Sequence, residues 1–344
     1  MVLRSSLLAA IIRPFATRSF PALTVCYSAQ VVQLIKDLLR RHNIRMDYLE
    51  ALKLFLRRRD DPGIAISRGF EANFDEPAND IERQIKSLID EHRGRMRVQW
   101  ESELFAQKTR LNTAERLLRK KVTKAAQNDV RVATNKIESY TTRLANLRRT
   151  EPAPDDSRIF PMQYAGVIVR DDAGYVLSPM RYHCRPQGKP AMYDRNYPGL
   201  YCARRDSLDG FWGDQFGRHH AVAIFQQFFE NVKLHDVEQR ALAAGETEKN
   251  IVLQFSPRAA SDMLIACVWS HWTDSKEPDL RSFAVITDEP PPEVRAAGHN
   301  RCPINLKRAN VGAWLTPRGR STQQLHAMLN DKEEPFYEHQ VLAA

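Results

Sequence analysis

Cys26, in the stretch Val25-Cys26-Tyr27-Ser28-Ala29-Gln30, is the residue with the widest chemical range in this chain. A thiolate is a nucleophile, whereas a cysteine among apolar neighbours is otherwise a small buried hydrophobe. The chemistry changes if Cys26 is the first residue of the mature chain. It then offers an amine and a sulfur on adjacent carbons. The α-amine, with a reference pKa of about 7.7–8.0, is substantially neutral at physiological pH and attacks an aldehyde to form a Schiff base. The thiolate can then close a five-membered thiazolidine ring. While residues 1–24 remain attached, there is no free amine and no ring can form.

Proton carriers lie far down the chain. Glu230 follows the apolar run Ala221–Phe229 and is expected at the end of a buried strand. Burial there raises a carboxyl pKa and suits it to proton shuttling; a surface acid at a strand end fits the local pattern equally. His299 sits in the turn Gly298-His299-Asn300-Arg301-Cys302-Pro303, where an imidazole titrates in a useful range or is merely solvated. Arg204 and Arg205 offer planar forks suited to phosphate, and Arg301 is either a phosphate contact or a structural ion-pair partner. Trp212, with Phe211 and Phe216, either stacks on unpaired bases or belongs to the core. The pairs His219-His220 and His183-Cys184 do not suggest a metal, because adjacent strand residues point to opposite faces.

Four short boxes occur in order: Cys26-Tyr27-Ser28-Ala29, then Tyr201-Cys202-Ala203-Arg204-Arg205-Asp206, then Phe228-Phe229-Glu230-Asn231, then Gly298 to Pro303. Together they resemble the SOS-response-associated peptidase (SRAP) family of abasic-site processing proteins. That family begins Met-Cys-Gly-Arg, or Met-Cys-Tyr-Ser-Ala in one sub-group, which the present N-terminal box is similar to. It continues with Asn-Ala-Arg-x-Glu/Asp, Phe-Tyr-Glu and His-Asp-Arg-Met-Pro boxes. Pro179-Met180-Arg181-Tyr182 resembles the family's Arg-Trp strand at the edge of the site, with tyrosine for tryptophan.

The resemblance implies that Cys26, freed by autoproteolytic or aminopeptidase removal of what precedes it, cross-links covalently to abasic sites in single-stranded DNA. It implies that Glu230 and His299 manage protons and that Arg204, Arg205, Arg181, Arg301 and Trp212 contact DNA. No cofactor or metal is implied, and β-lyase competence follows from a Schiff base at C1′. One departure matters: Cys202 stands where the family has an asparagine that orients the nucleophile or the sugar. A thiol is a weak donor and acceptor, so that role is weakened.

With 344 residues, 43% of them hydrophobic, the chain can bury a sizeable core. No apolar run approaches the ~18 residues a spanning helix needs, so no membrane is expected as a partner. The 51 Lys+Arg against 42 Asp+Glu leave +9, which favours a polyanionic partner without specifying chemistry. Five cysteines at irregular spacing suggest reduced thiols and a cytoplasmic, nucleoid-associated setting.

The fold expected is α+β, a mainly antiparallel β core of SRAP type with N-terminal helices and a long helical insertion. Residues 1–25 read as a leader: either an upstream segment left untranslated, Val25 standing where the family has its initiator methionine, or an organelle transit peptide. Residues 26–97 form the N-terminal part of the domain. A helix is expected from Ser28, through Val31, Val32, Ile35, Leu38 and Leu39, followed by helices over Met46–Arg57 and Asp80–Glu91. Residues 98–150, without proline or glycine, read as one very long helix or a hairpin. Most of the surplus positive charge sits there, as a phosphate-contacting arm or a solvated face. Residues 151–320 hold short β-like runs, and 321–344 form a C-terminal tail. The reading is of a monomeric protein that captures abasic DNA. The alternatives are a non-catalytic DNA-binding relative that retains its leader, and a thiol peptidase using Cys26 and His299.

Overall fold

The computed structural model describes residues 28–31, 39 and 43–342. Cys26 lies outside the described residues, and so does most of the helix expected after Ser28. At its start the expectation is overturned, since Ser28–Val31 is a strand, β1, whereas Leu39 is helical. It hydrogen-bonds on both sides, to β3 (Arg158–Ile159) and to β7 (His220–Lys233). Four residues fully paired across a sheet outweigh a weak helical period.

The remaining strands are β2 (Arg45–Met46), β4 (Tyr164–Asp171), β5 (Gly174–Tyr182), β6 (Cys202–Arg204), β8 (Asn250–Pro257), β9 (Met263–Trp272), β10 (Leu280–Asp288), β11 (Cys302–Pro303) and β12 (Tyr337–Val341). Most pairings are antiparallel, giving the α+β class read from the sequence. A closed circuit runs from β10 to β5, β4, β7 and β9 and back to β10. Closure leaves both faces of these strands to be covered, and the burial follows the two-residue period of a strand. Ala221, Ala223 and Phe225 of β7 face one apolar cluster, while Val222 and Ile224 face a second.

The second cluster is roofed by helices. In Tyr48–Asp60 the buried positions Ala51, Leu54, Phe55 and Arg58 recur at three- and four-residue intervals, and the Asp47 side chain caps the first turn by accepting from the Glu50 N–H. Phe55 packs in the same cluster as Ile85 and Ile89 at the start of the next helix. That helix is not interrupted near residue 97: it runs unbroken from Asp80 to Lys120. After a turn at Lys121–Thr123 the chain returns as Lys124–Arg148, with the Thr123 hydroxyl capping by accepting from Ala126. The hairpin alternative is therefore the one realised. Ala114, Ala126 and Ala133 are buried in it, and such small side chains let the helices approach closely.

The C-terminal segment is part of the fold rather than a tail. The Thr322–Asn330 helix buries Leu325 and Leu329, and β12 extends the sheet beyond β8. Among the described residues, no helix is long and apolar enough to cross a membrane.

Candidate active site

Glu230 does not emerge at a strand end. Strand β7 continues three residues further, to Lys233, and Glu230 lies within it, with no exposed surface. It shares a face with Phe228 and Val232, both in the core. Adjacent pairing with Leu253 of β8 closes one flank. The apolar run signalled burial, but not how far pairing with β8 would prolong the strand.

His299 reaches this carboxylate from a separate element. The short helix Pro292–Ala296 is stopped by Gly298 at φ +88°, a left-handed conformation that side chains disfavour. The chain then turns back, and His299 enters the interior, 1% exposed. Its Nε2 lies 3.1 Å from Oε2 of Glu230, within ion-pair distance but without the alignment of a hydrogen bond. Its Nδ1 lies 2.8 Å from the Arg301 carbonyl oxygen. A carbonyl only accepts, so Nδ1 carries the hydrogen and a neutral ring turns a bare Nε2 towards Glu230. Burial holds this imidazole well down, at about 4. At this separation a buried carboxyl group and imidazole are placed to pass a proton between them.

The second and fourth boxes meet across β10. Thr287 pairs with Arg204 of β6 on one side and with Pro303 of β11 on the other. At that junction Asp206 takes Arg204 at 2.9 Å and lies 3.7 Å from Arg301, which is only 8% exposed. Arg205 points elsewhere, to Asp288 at 2.9 Å and to Asn330. Cys202 is buried in β6, paired with Val285. Cys302 lies in β11, and burial, reinforced by the nearby Glu230 charge, raises its thiol well above the usual range.

Two further predicted DNA contacts, besides Arg301, are buried. Trp212 is 2% exposed and packs in the second core cluster, the alternative that the sequence left open; Phe216 joins it, and Phe211 is exposed. Arg181 is buried against Asp194 at 2.8 Å and donates to the His183 carbonyl. Its neighbour Tyr182 stacks on Phe283 and meets Tyr201 edge-on, next to Cys202. Among the described residues, no three His, Cys, Asp or Glu side chains converge as a metal site would require.

Arg158 carried no signal in the sequence. Its guanidinium lies over the Phe229 ring, 3.9 Å from the centroid, and Nε donates to the Ser28 hydroxyl at 3.0 Å. It thus ties β1 to β7 where Ser28 pairs with Phe229, the residue before Glu230. Only the tertiary pairing brings positions 28, 158 and 229 together.

This α+β barrel, with its buried Glu230–His299 pair, is matched by a family profile. The SOS response associated peptidase (SRAP) profile covers residues 95–343, and the chain belongs to that family. Membership associates it with the SOS response to DNA damage. The N-terminal box, with the sub-group it suggests, lies outside the matched residues. No curated protein matches the chain.

Three solved structures are similar in part. A protein from Bordetella bronchiseptica has 14% identity and a TM-score of 0.43, covering 55% of this chain and 88% of its own. A protein from Bacteroides thetaiotaomicron has 13% identity and a TM-score of 0.42, covering 54% and 78%. A phage-related protein from Bordetella bronchiseptica has 13% identity and a TM-score of 0.42, covering 55% and 82%.

Proposed function

We propose that the protein captures abasic sites in single-stranded DNA through Cys26, as the N-terminal residue of the mature chain, and that it removes the preceding segment by an autopeptidase step. The observation that carries this reading is the buried Glu230–His299 pair beside the start of β1. Ser28, two residues after Cys26 in the sequence, pairs with Phe229, the residue before Glu230.

An abasic deoxyribose in its open form presents an aldehyde at C1′. The Cys26 amine adds to that carbon, giving a carbinolamine. Loss of its hydroxyl as water requires an acid, which the proton shared by Glu230 and His299 supplies. The Cys26 sulfur then adds to the imine carbon, its proton passes to the imine nitrogen, and the thiazolidine closes. Aldehyde and cysteine go in; thiazolidine and one water come out. If closure fails, the imine acidifies C2′ and permits β-elimination of the 3′ phosphate. Arg204, exposed and held by Asp206, contacts the backbone beside the lesion, and the buried Arg301 stands behind the same carboxylate, with no cofactor involved.

The test is adduct formation between mature protein and a single-stranded oligonucleotide bearing one abasic site, read on a denaturing gel. Cys26→Ala is expected to abolish the adduct and leave salt-sensitive binding intact. An adduct that survives this change, or native protein that retains residues 1–24 while active, overturns the reading.

A further inference from the structure

The positive charge of this protein is concentrated away from the candidate site. Between Leu104 and Lys136, at the distal half of the helical hairpin, nine Lys and Arg stand against two acids, a surplus of seven in a chain whose total is +9. One arginine there is neutralised, Arg110 by Asp129 at 2.5 Å. Lys108, Arg116, Arg119 and Lys120 are exposed and, among the described residues, have no carboxylate within 4 Å.

Their arrangement is regular. Lys108, Asn112, Arg116 and Lys120 recur every four residues on the Asp80–Lys120 helix, so they form one ladder with a step of about 6 Å and a length of about 18 Å. Arg119 borders it. The ladder lies opposite the buried positions Gln107 and Ala114, which face the returning helix; it is the outward side of the arm. Of the exposed apolar side chains on the distal hairpin, Phe105 falls on this side, whereas Leu117 lies a quarter-turn or more away and Val122 is in the turn.

We infer that this outward face of the hairpin is a second nucleic-acid contact, which tracks the phosphate backbone of duplex DNA without reading its sequence. A membrane-surface helix needs a continuous apolar face, which is missing here. Single-strand binding platforms need a series of aromatic side chains, and this face offers one. What it does offer is a row of exposed, uncompensated cations, Lys108, Arg116, Arg119 and Lys120, on one side of a long helix, suited to the dense charge of a duplex. The inference is independent of covalent capture, because it concerns undamaged DNA and residues remote in sequence from Cys26.

The experiment measures binding of a labelled, undamaged 20-base-pair duplex by fluorescence anisotropy across a salt series, using the mature protein. The variant carries Lys108→Gln, Arg116→Gln, Arg119→Gln and Lys120→Gln; a control carries Arg195→Gln, Lys249→Gln, Lys276→Gln and Arg318→Gln, removing equal charge elsewhere. Each phosphate contact contributes about 0.9 to the slope of log K against log salt, so the hairpin variant is expected to lose about 2–4 from that slope and at least ~10-fold in affinity at low salt. Helix content and Tm should be unchanged, since all four side chains are exposed. An unchanged slope, or an equal loss in the control, overturns the inference. So does binding to phosphatidylserine vesicles that depends on these four residues while duplex binding does not.

Discussion

The imidazole of His299 and the carboxylate of Glu230 meet at 3.1 Å although 69 positions separate them, and neither has any side-chain surface exposed to solvent. A carboxyl group facing a neutral imidazole at this distance is placed to exchange a proton with it. Glu230→Gln keeps the shape and removes the ionisable group. It should slow adduct formation by about 10²–10⁴-fold, the range for a positioned acid-base group, with little effect on noncovalent DNA affinity. Single-turnover gel kinetics check this; a rate within a few-fold of wild type would remove Glu230 from the chemistry.

Arg158 is expected to act at a distance. By bridging Ser28 and Phe229 it fixes the beginning of β1. Arg158→Ala should lower the rate of capture about 10-fold and speed hydrogen exchange at Ser28–Val31 relative to β9, while global stability falls by only ~1–3 kcal/mol, since the hydrogen bond to Ser28 and the cation–π contacts with Phe229 and Phe160 are lost. Equal loss of protection throughout the sheet would instead make Arg158 a general structural residue.

The position of Cys202 can be examined directly. It lies at the start of β6 and is buried, and a thiol donates and accepts weakly. Cys202→Asn supplies an amide of modest extra volume and is expected to accelerate adduct formation several-fold. A slower rate with an unchanged Tm would show that the second box does not orient the nucleophile.

Acid sensitivity follows from the buried imidazoles. His220 accepts a hydrogen bond from the Gly217 N–H at Nε2 and lies 3.0 Å from the Trp314 carbonyl at Nδ1, so the fold requires its neutral form. Burial lowers His220 to about 3, and His183 and His299 to about 4. Unfolded histidine takes up a proton near 6.5. Between pH 6.5 and about 4 the unfolded chain therefore binds more protons, and stability must fall as pH is lowered through this window. Urea midpoints at pH 7.5 and 5.0 should differ clearly, and His220→Phe should be less stable at pH 7.5 but show a smaller difference. Identical midpoints for the wild type would contradict the burial of these rings.

Local sequence was sufficient wherever one chain segment decides its own partners. The short apolar runs at Ala221–Phe228, Met263–Trp269 and Ser282–Thr287 suggested strands, and strands β7, β9 and β10 contain them. The lack of proline and glycine in residues 98–150, with its leucine spacing, required helix, and the four boxes indicated the family. Sequence also concentrated the positive charge in one segment. It could not say which face of that segment is outward, because that depends on Gln107, Ala114, Ala126 and Ala133 packing between the two helices.

Tertiary pairing decided the rest. Val31 and its neighbours read as helix by spacing, yet Ser28–Val31 is a strand because β3 and β7 offer edges on both sides. Trp212 and Arg181 have side chains suited to DNA, but the fold gives one to the core and the other to Asp194. Glu230 and His299 each had a bland local alternative, a surface acid and a solvated loop residue. Their burial against one another arises from β8 flanking β7 and from Gly298 turning the chain inward, contacts between segments whose separation in sequence exceeds any local pattern.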